Sequence, residues 1–161
     1  MTIRDQTVEL EEILRALETE SGRRWFGQLG LMEGELQQLE NRSGRQLPEP
    51  VAWWLRHSNG GEWVWKPPTS ERYYVMLDAN SIEDVAKFIA RDLPGMFPFA
   101  SDGGSKYFVL DETNRHGRGA NSIWGVPAGA PFEDRLEYIA SDIAMFLRQM
   151  IEGSVGRRIS Q

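Results

Sequence analysis

Apolar residues recur at helical spacing in several stretches of the chain. In the first stretch, Leu10, Ile13, Leu14 and Leu17 fall on one face, which predicts an N-terminal helix over residues 8–20. The same criterion predicts further helices over residues 33–42, 51–57, 82–91 and 142–151. Ser81, followed three residues later by Asp84, fits a capping box at the start of the helix over 82–91.

Between the third and the last predicted helix, the pattern is typical of strands. Aromatic and β-branched residues alternate with polar ones, or run together between Gly-, Pro- and Asn-rich turns, over residues 63–65, 73–77, 97–101, 106–110, 122–126 and 136–139. Helices first, strands in the middle and a helix last indicate the α+β class. We therefore expect one domain over residues 1–161, with a mostly antiparallel central sheet of about five to six strands and helices packed on one face. Its core would span about residues 32–151, ahead of a short C-terminal tail over 153–161.

Charge narrows the choice of partner. The 161 residues include no cysteine, and 18 Lys+Arg stand against 24 Asp+Glu, for a formal net charge of −6. No apolar run reaches the roughly 18 residues that a membrane span needs, so we expect a cytoplasmic protein. An acidic chain argues against nucleic acid or an anionic membrane as the partner and favours a basic protein. The surplus lies early, because residues 1–50 hold ten acids and six bases.

The inventory of catalytic residues is short. His57 and His116 are the two histidines; the first falls at a predicted helix end and the second in a Gly-rich turn. No H-E-x-x-H metal motif or G-x-S-x-G nucleophile motif occurs, and the Gly-Arg-Gly at 117–119 precedes a strand, as a hairpin turn does. We therefore predict no catalytic, metal or cofactor site, and a protein that is not an enzyme.

Two Gly-rich motifs stand out from this background. Asn59-Gly60-Gly61 ends the third predicted helix, and Asp102-Gly103-Gly104 lies between two predicted strands, where glycine permits positive φ and the aspartate can cap the turn. Tryptophans flank the first motif. Trp63 and Trp65 fit either an exposed patch that binds a protein or the core, where most large aromatic side chains lie.

Together and in this order, these motifs resemble the SUKH superfamily, whose distant relatives include a fungal regulator of cell-wall assembly. Three blocks carry the resemblance: Glu40, Gly44, Leu47-Pro48, Leu55 and Asn59-Gly60-Gly61; then Phe99 to Gly104, Tyr107 and Leu110-Asp111; and finally Ile139-Ala140-Ser141 with Phe146-Leu147. The similarity covers roughly residues 32–151. The segment 65–72, with its two prolines, departs from the pattern in a loop that varies among relatives.

The resemblance implies a function. Bacterial members of this superfamily are mostly immunity proteins, which bind secreted or contact-delivered toxins, and many of those toxins act on nucleic acids. A cognate toxin with a basic substrate cleft would attract an acidic inhibitor that occludes it. One alternative is a regulatory scaffold with several endogenous partners, like the fungal relative. Another is a small-molecule-binding or hydrolytic domain with a pocket beside Asp102 and Asn59.

An interface to a basic enzyme should combine acids with aromatic residues. We expect this combination on the surface formed by Glu62, Trp63, Trp65, Asp102, Asp111 and Glu112. An alternative surface is the acidic face of the N-terminal helix, with Glu9, Glu11, Glu12 and Glu18. The chain itself is expected to be a monomer or a weak homodimer.

Overall fold

The structure is a computed structural model that describes residues 11–17, 19, 23–65 and 72–156. Its helices are α1, seen over residues 11–17, α2 (Glu33–Ser43), α3 (Glu49–His57), α4 (Ala79–Asp92) and α5 (Ile143–Glu152). Its strands are β1 (Arg23–Gly27), β2 (Gly61–Trp65), β3 (Arg72–Met76), β4 (Met96–Ser101), β5 (Lys106–Asp111), β6 (Ser122–Pro127) and β7 (Glu137–Ala140). The remainder of the predicted N-terminal helix, the centre of the 65–72 loop and residues 157–161 of the predicted tail lie outside the described residues.

The helices begin and end at residues that satisfy their free backbone groups. In α2, the Glu35 side chain accepts a hydrogen bond from the backbone N–H of Met32, and Gly44 ends the helix at φ 70°. The predicted cap of α4 is wrong. The helix starts earlier, at Ala79, because the Asp78 carboxylate accepts the backbone N–H of Ser81 and so caps the first turn.

The strands form one antiparallel sheet in the order β1-β2-β3-β4-β5-β6-β7. This confirms the α+β single domain, with seven strands in the described part of the chain where the sequence predicted five to six. The strand that sequence patterning missed is β1, which pairs along β2 with Trp25 opposite Trp63. A bulge at Phe99 interrupts the pairing of β4 with β5.

The core lies between the sheet and the helices. Phe146 of α5 contacts Phe108 and Phe99, with ring centroids 4.8 and 5.2 Å apart, and Trp54 of α3 meets Trp25 edge to face. Strand β4 is buried along its whole length, and α4 packs against it. In α1, Ile13, Leu14 and Leu17 are buried, as their spacing predicted. The paired ends of β1, β2 and β3, at Gly27, Gly61 and Met76, lie beside the start of α4, where a cleft opens.

Candidate functional site

The Asn59-Gly60-Gly61 turn lies where α3 passes into β2. The Asn59 amide oxygen accepts the backbone N–H of Ala79 at 2.8 Å, which ties the turn to the first residue of α4. Gly60 has φ 84°, and a Cβ there would lie 2.9 Å from the backbone nitrogen of Asp78. Both the left-handed backbone and the close approach therefore require glycine at position 60, and they hold β2 against α4.

Ser58, the residue directly before this turn, connects the turn to the segment that follows β1. Sequence reasoning did not identify Ser58. Its side chain is buried, its hydroxyl accepts the backbone N–H of Gln28 at 3.0 Å, and it donates to the carbonyl oxygen of Gly60 at 2.6 Å. The backbone N–H of Leu31 donates to the carbonyl oxygen of Leu55. The segment 28–31 is thereby fixed to the end of α3. The clue in the sequence is one serine directly before Asn-Gly-Gly, which is too common a pattern to identify its role.

A cleft of about 630 Å³ opens between segment 28–31 and the Asn59-Gly60-Gly61 turn. We call it the turn cleft. Its lining combines apolar and acidic side chains: Phe26, Leu29, Leu31, Val75 and Met76 with Glu35, Glu62 and Asp78. No lysine or arginine of the described residues lines it. Two smaller clefts do contain such residues: Arg56 in the one of about 240 Å³, and Arg42, Arg45 and Lys87 in the one of about 200 Å³.

The three carboxylates of the turn cleft are exposed, and each accepts a hydrogen bond from a neutral donor. Glu35 and Asp78 accept from the backbone N–H groups that they cap. Glu62 accepts from the phenol of Tyr73, and this bond is the main reason why the pKa of Tyr73 is raised above its ordinary value of 10.0. Among the described residues, no ion pair neutralises any of the three.

The second Gly-rich turn lies beside Tyr73. A Cβ on Gly103, which has φ 95°, would lie 2.7 Å from the ring of Tyr73, so the turn packs against that ring. Tyr73 thus joins Glu62 on one side to the Asp102 turn on the other. The structure brings together two of the predicted binding residues, Glu62 and Asp102, through a tyrosine that sequence reasoning did not single out.

Asp102 holds its own turn closed. One carboxylate oxygen accepts the backbone N–H groups of Ser105 and Lys106 at 3.0 and 2.8 Å, and the other accepts the Ser105 hydroxyl at 2.6 Å. Partial burial acts to raise the pKa of Asp102, but the hydrogen bonds from the Ser105 hydroxyl and from backbone N–H groups outweigh it, and the pKa is lowered. The capping role expected of Asp102 is therefore what the geometry shows.

Asp111 and Glu112 lie apart from this group, at the opposite end of β5. Asp111 is fully buried and accepts the backbone N–H groups of Arg115 and His116 at 3.0 and 2.9 Å. Glu112 forms an ion pair with Arg45. The expectation of one surface containing all six residues is wrong for Asp111, because a buried carboxylate that anchors a loop is not available to a partner.

The expected exposure of Trp63 is also wrong. Its side chain has 0% exposure and lies in the core, because the alternation of β2 directs Glu62 outward and Trp63 inward. The side chain of Trp65 lies outside the described residues. Around the turn cleft the exposed apolar side chains are instead Phe26 at 51% and Leu29 at 92%, with Met32 nearby in sequence at 73%.

Both histidines pack against tryptophan rings, and Nε2 of His116 also lies 3.9 Å from a carboxylate oxygen of Glu133. The ring of His57 stacks on Trp53, and that of His116 contacts Trp124. Across the described ranges, no three His, Asp or Glu side chains gather as metal ligands would. None of the helices in this part of the chain is long and apolar enough to cross a membrane. The groups that the turn cleft presents are carboxylates and apolar side chains, which can recognise a partner by charge and apolar contact.

A single α+β domain, with a seven-stranded antiparallel sheet and an Asn-Gly-Gly turn that closes on the start of a helix, has the architecture expected of a SUKH protein. The sequence model of the SMI1 / KNR4 family (SUKH-1) matches residues 30–149, and the chain belongs to that family. No curated protein sequence is similar enough to the chain to count as a relative. The matched range includes both Gly-rich turns and all three acids of the turn cleft.

Proposed function

We propose that this protein is a bacterial immunity protein that binds a cognate secreted or contact-delivered toxin in the cytoplasm and neutralises it by occlusion. Membership of the SMI1 / KNR4 family (SUKH-1) is the observation that carries the proposal. The formal net charge of −6 supports it, because an acidic surface attracts an enzyme with a basic nucleic-acid cleft and speeds their encounter.

The proposed mechanism needs binding and no catalysis. The described part of the chain offers an unneutralised acidic cleft with exposed apolar side chains beside it, which are the components of a protein-binding surface. A toxin that acts on nucleic acid must carry arginine and lysine where its substrate lies. Covering that region with an acidic protein would exclude the substrate.

Co-expression with the product of the adjacent gene tests the proposal. The chain and the candidate toxin are placed under separate inducible promoters, and survival is measured with and without the chain. We expect rescue of growth and a one-to-one complex on size-exclusion chromatography with light scattering. A catalytically inactivated toxin serves as the control for binding without toxicity.

If no neighbouring gene product is neutralised or co-purified, the immunity function is wrong. The capture of several endogenous proteins, with no toxin encoded nearby, would instead favour the regulatory scaffold. A second measurement separates charge-steered binding from non-specific capture: the association rate should fall steeply as salt is raised, while the dissociation rate changes little.

A further inference from the structure

We propose that the turn cleft is the docking site for an extended, basic segment of the partner, in which arginine or lysine side chains reach Glu35, Glu62 and Asp78 and an apolar side chain lies against Phe26 and Leu29. The identity of the partner rests on the proposed function. The chemistry of the docked segment rests on the cleft itself.

Charge complementarity selects a basic occupant. Glu35, Glu62 and Asp78 approach the cleft from three separate elements, α2, β2 and the segment before α4. Each carboxylate has two oxygens and about four acceptor positions, and the hydrogen bonds from Met32, Tyr73 and Ser81 leave most of them open. A guanidinium or ammonium group supplies the missing donors and the opposite charge.

Exposed apolar side chains select a segment that also carries a hydrophobic residue. Phe26 and Leu29 line the cleft at 51% and 92% exposure. Large apolar side chains grouped beside a cleft mark interaction sites more often than isolated ones do. A cleft lined by acids alone would suit a small cation, whereas this lining suits a peptide chain.

The cleft is formed before any partner arrives. Ser58 fixes segment 28–31, and Asn59 fixes the turn to α4. A Cβ on Gly30 would lie 1.8 Å from the carbonyl oxygen of Arg56, so the backbone of this segment lies directly on the end of α3. Its volume of about 630 Å³ lies within the about 300–1,000 Å³ range of pockets that enclose small ligands, which is enough room for a few residues. A pre-formed site reduces the ordering cost of binding.

A short synthetic peptide in which arginine and leucine alternate, Gly-Arg-Leu-Arg-Leu-Gly, serves as the probe. It is titrated into the full chain while the amide proton–nitrogen NMR spectrum is recorded. We expect saturable shifts for the amides of Leu29, Gly60, Gly61 and Glu62. The same peptide with glutamate in place of arginine should cause no shifts at these amides.

A charge-only variant tests the role of the three acids. In the triple variant E35Q/E62Q/D78N, each new amide keeps a carbonyl oxygen as hydrogen-bond acceptor. The amides at 35 and 78 can still cap their helices, and the amide at 62 can still accept the phenol of Tyr73, so the fold is retained while the charge is removed. The matched control is D84N/D134N/E152Q, at three exposed acids that do not line the cleft. Both variants carry a net charge of −3, the −6 of the parent less three negative charges.

We expect the cleft variant to bind the arginine peptide about tenfold more weakly than the parent, as the loss of three exposed charge pairs predicts, and the control to bind within about twofold. Equal weakening in both variants would show that only net charge matters and would overturn the proposal. Shifts at amides away from the cleft, or no saturable shift, would also overturn it.

The two proposals fail separately. If a toxin is neutralised and binds E35Q/E62Q/D78N as tightly as it binds the parent and D84N/D134N/E152Q, the immunity function stands and the docking site is wrong. If the peptide binds the cleft but no adjacent gene product is neutralised, the cleft remains a basic-peptide site and the immunity function is wrong.

Discussion

Replacing Asp111 by alanine removes the carboxylate that holds the loop between β5 and β6. Asp111 is fully buried and accepts two backbone N–H groups, from Arg115 and His116. Hydrogen bonds to a charged acceptor contribute about 1.5–3 kcal/mol each. Because Arg115 is exposed and His116 is only half-buried, we expect water to reach both freed N–H groups. We therefore take the lower end for both bonds and expect a loss of about 3 kcal/mol.

For a domain of this size, 1 kcal/mol shifts Tm by about 2–4 °C, so Asp111→Ala should lower Tm by about 6–12 °C. Thermal unfolding followed by circular dichroism measures the shift, and urea unfolding gives the free energy directly. The neighbouring Glu112→Ala is the control, because it breaks only a partly exposed ion pair with Arg45 and should cost at most about 1 kcal/mol. A Tm within about 1 °C of the parent for Asp111→Ala, or equal losses in the two variants, would refute the anchoring role.

Three other variants and one control test the site and its surroundings. Gly61→Ala should lower the free energy of unfolding in urea by about 2 kcal/mol or more, since Gly61 has φ 153° and its new Cβ would lie 2.4 Å from the ring of Trp25. The control Gly104→Ala should be nearly neutral, because a Cβ there meets nothing within 4 Å. Trp63→Ala should cost about 3–5 kcal/mol, and partner affinity per folded molecule should not change, because this side chain is buried. Asp102→Asn should lower Tm at pH 7. The pKa of Asp102 in the folded state is below its ordinary value of 3.8, so the ionised carboxylate stabilises the fold fully above pH 3.8, and this stabilisation is lost as the pH falls through the folded-state pKa. The difference in Tm between the variant and the parent should therefore be smaller at pH 3 than at pH 7.

The helices and the β4–β6 meander could be predicted because their patterns are local. The stripe of α5 and the alternation of β5 and β6 stay visible in any window of about ten residues. Strand β1 could not be predicted in the same way. Between Arg23 and Gly27 the apolar residues are Trp25 and Phe26. The segment becomes a strand because it pairs with the distant β2, and its partners lie 34 residues along the chain for Gly27 with Gly61 and 42 residues for Arg23 with Trp65.

The candidate site was only partly predictable, for a related physical reason. Alternation shows that Glu62 and Trp63 point to opposite faces, but it does not show which face is covered, and the choice of an exposed Trp63 failed at that step. An aspartate at a strand end can serve as a surface charge or as a loop anchor. For Asp111, only the fold of the following loop decides between the two.

The distribution of charge along the chain explains why the cleft was not evident in sequence. The acidic surplus lies before residue 51, whereas the predicted binding loops come after it. In the structure, several of the early acids have partners within the chain: Glu33 and Glu49 pair with Arg56, and Glu40 accepts the backbone N–H of Leu47. Glu35, by contrast, joins the later acids Glu62 and Asp78 at the turn cleft. What distinguishes the three cleft acids is that they converge on one cleft whose described lining holds no lysine or arginine, and position in the chain plays no part. A basic partner should therefore respond to these three charges more than to the larger number of acids in the N-terminal third.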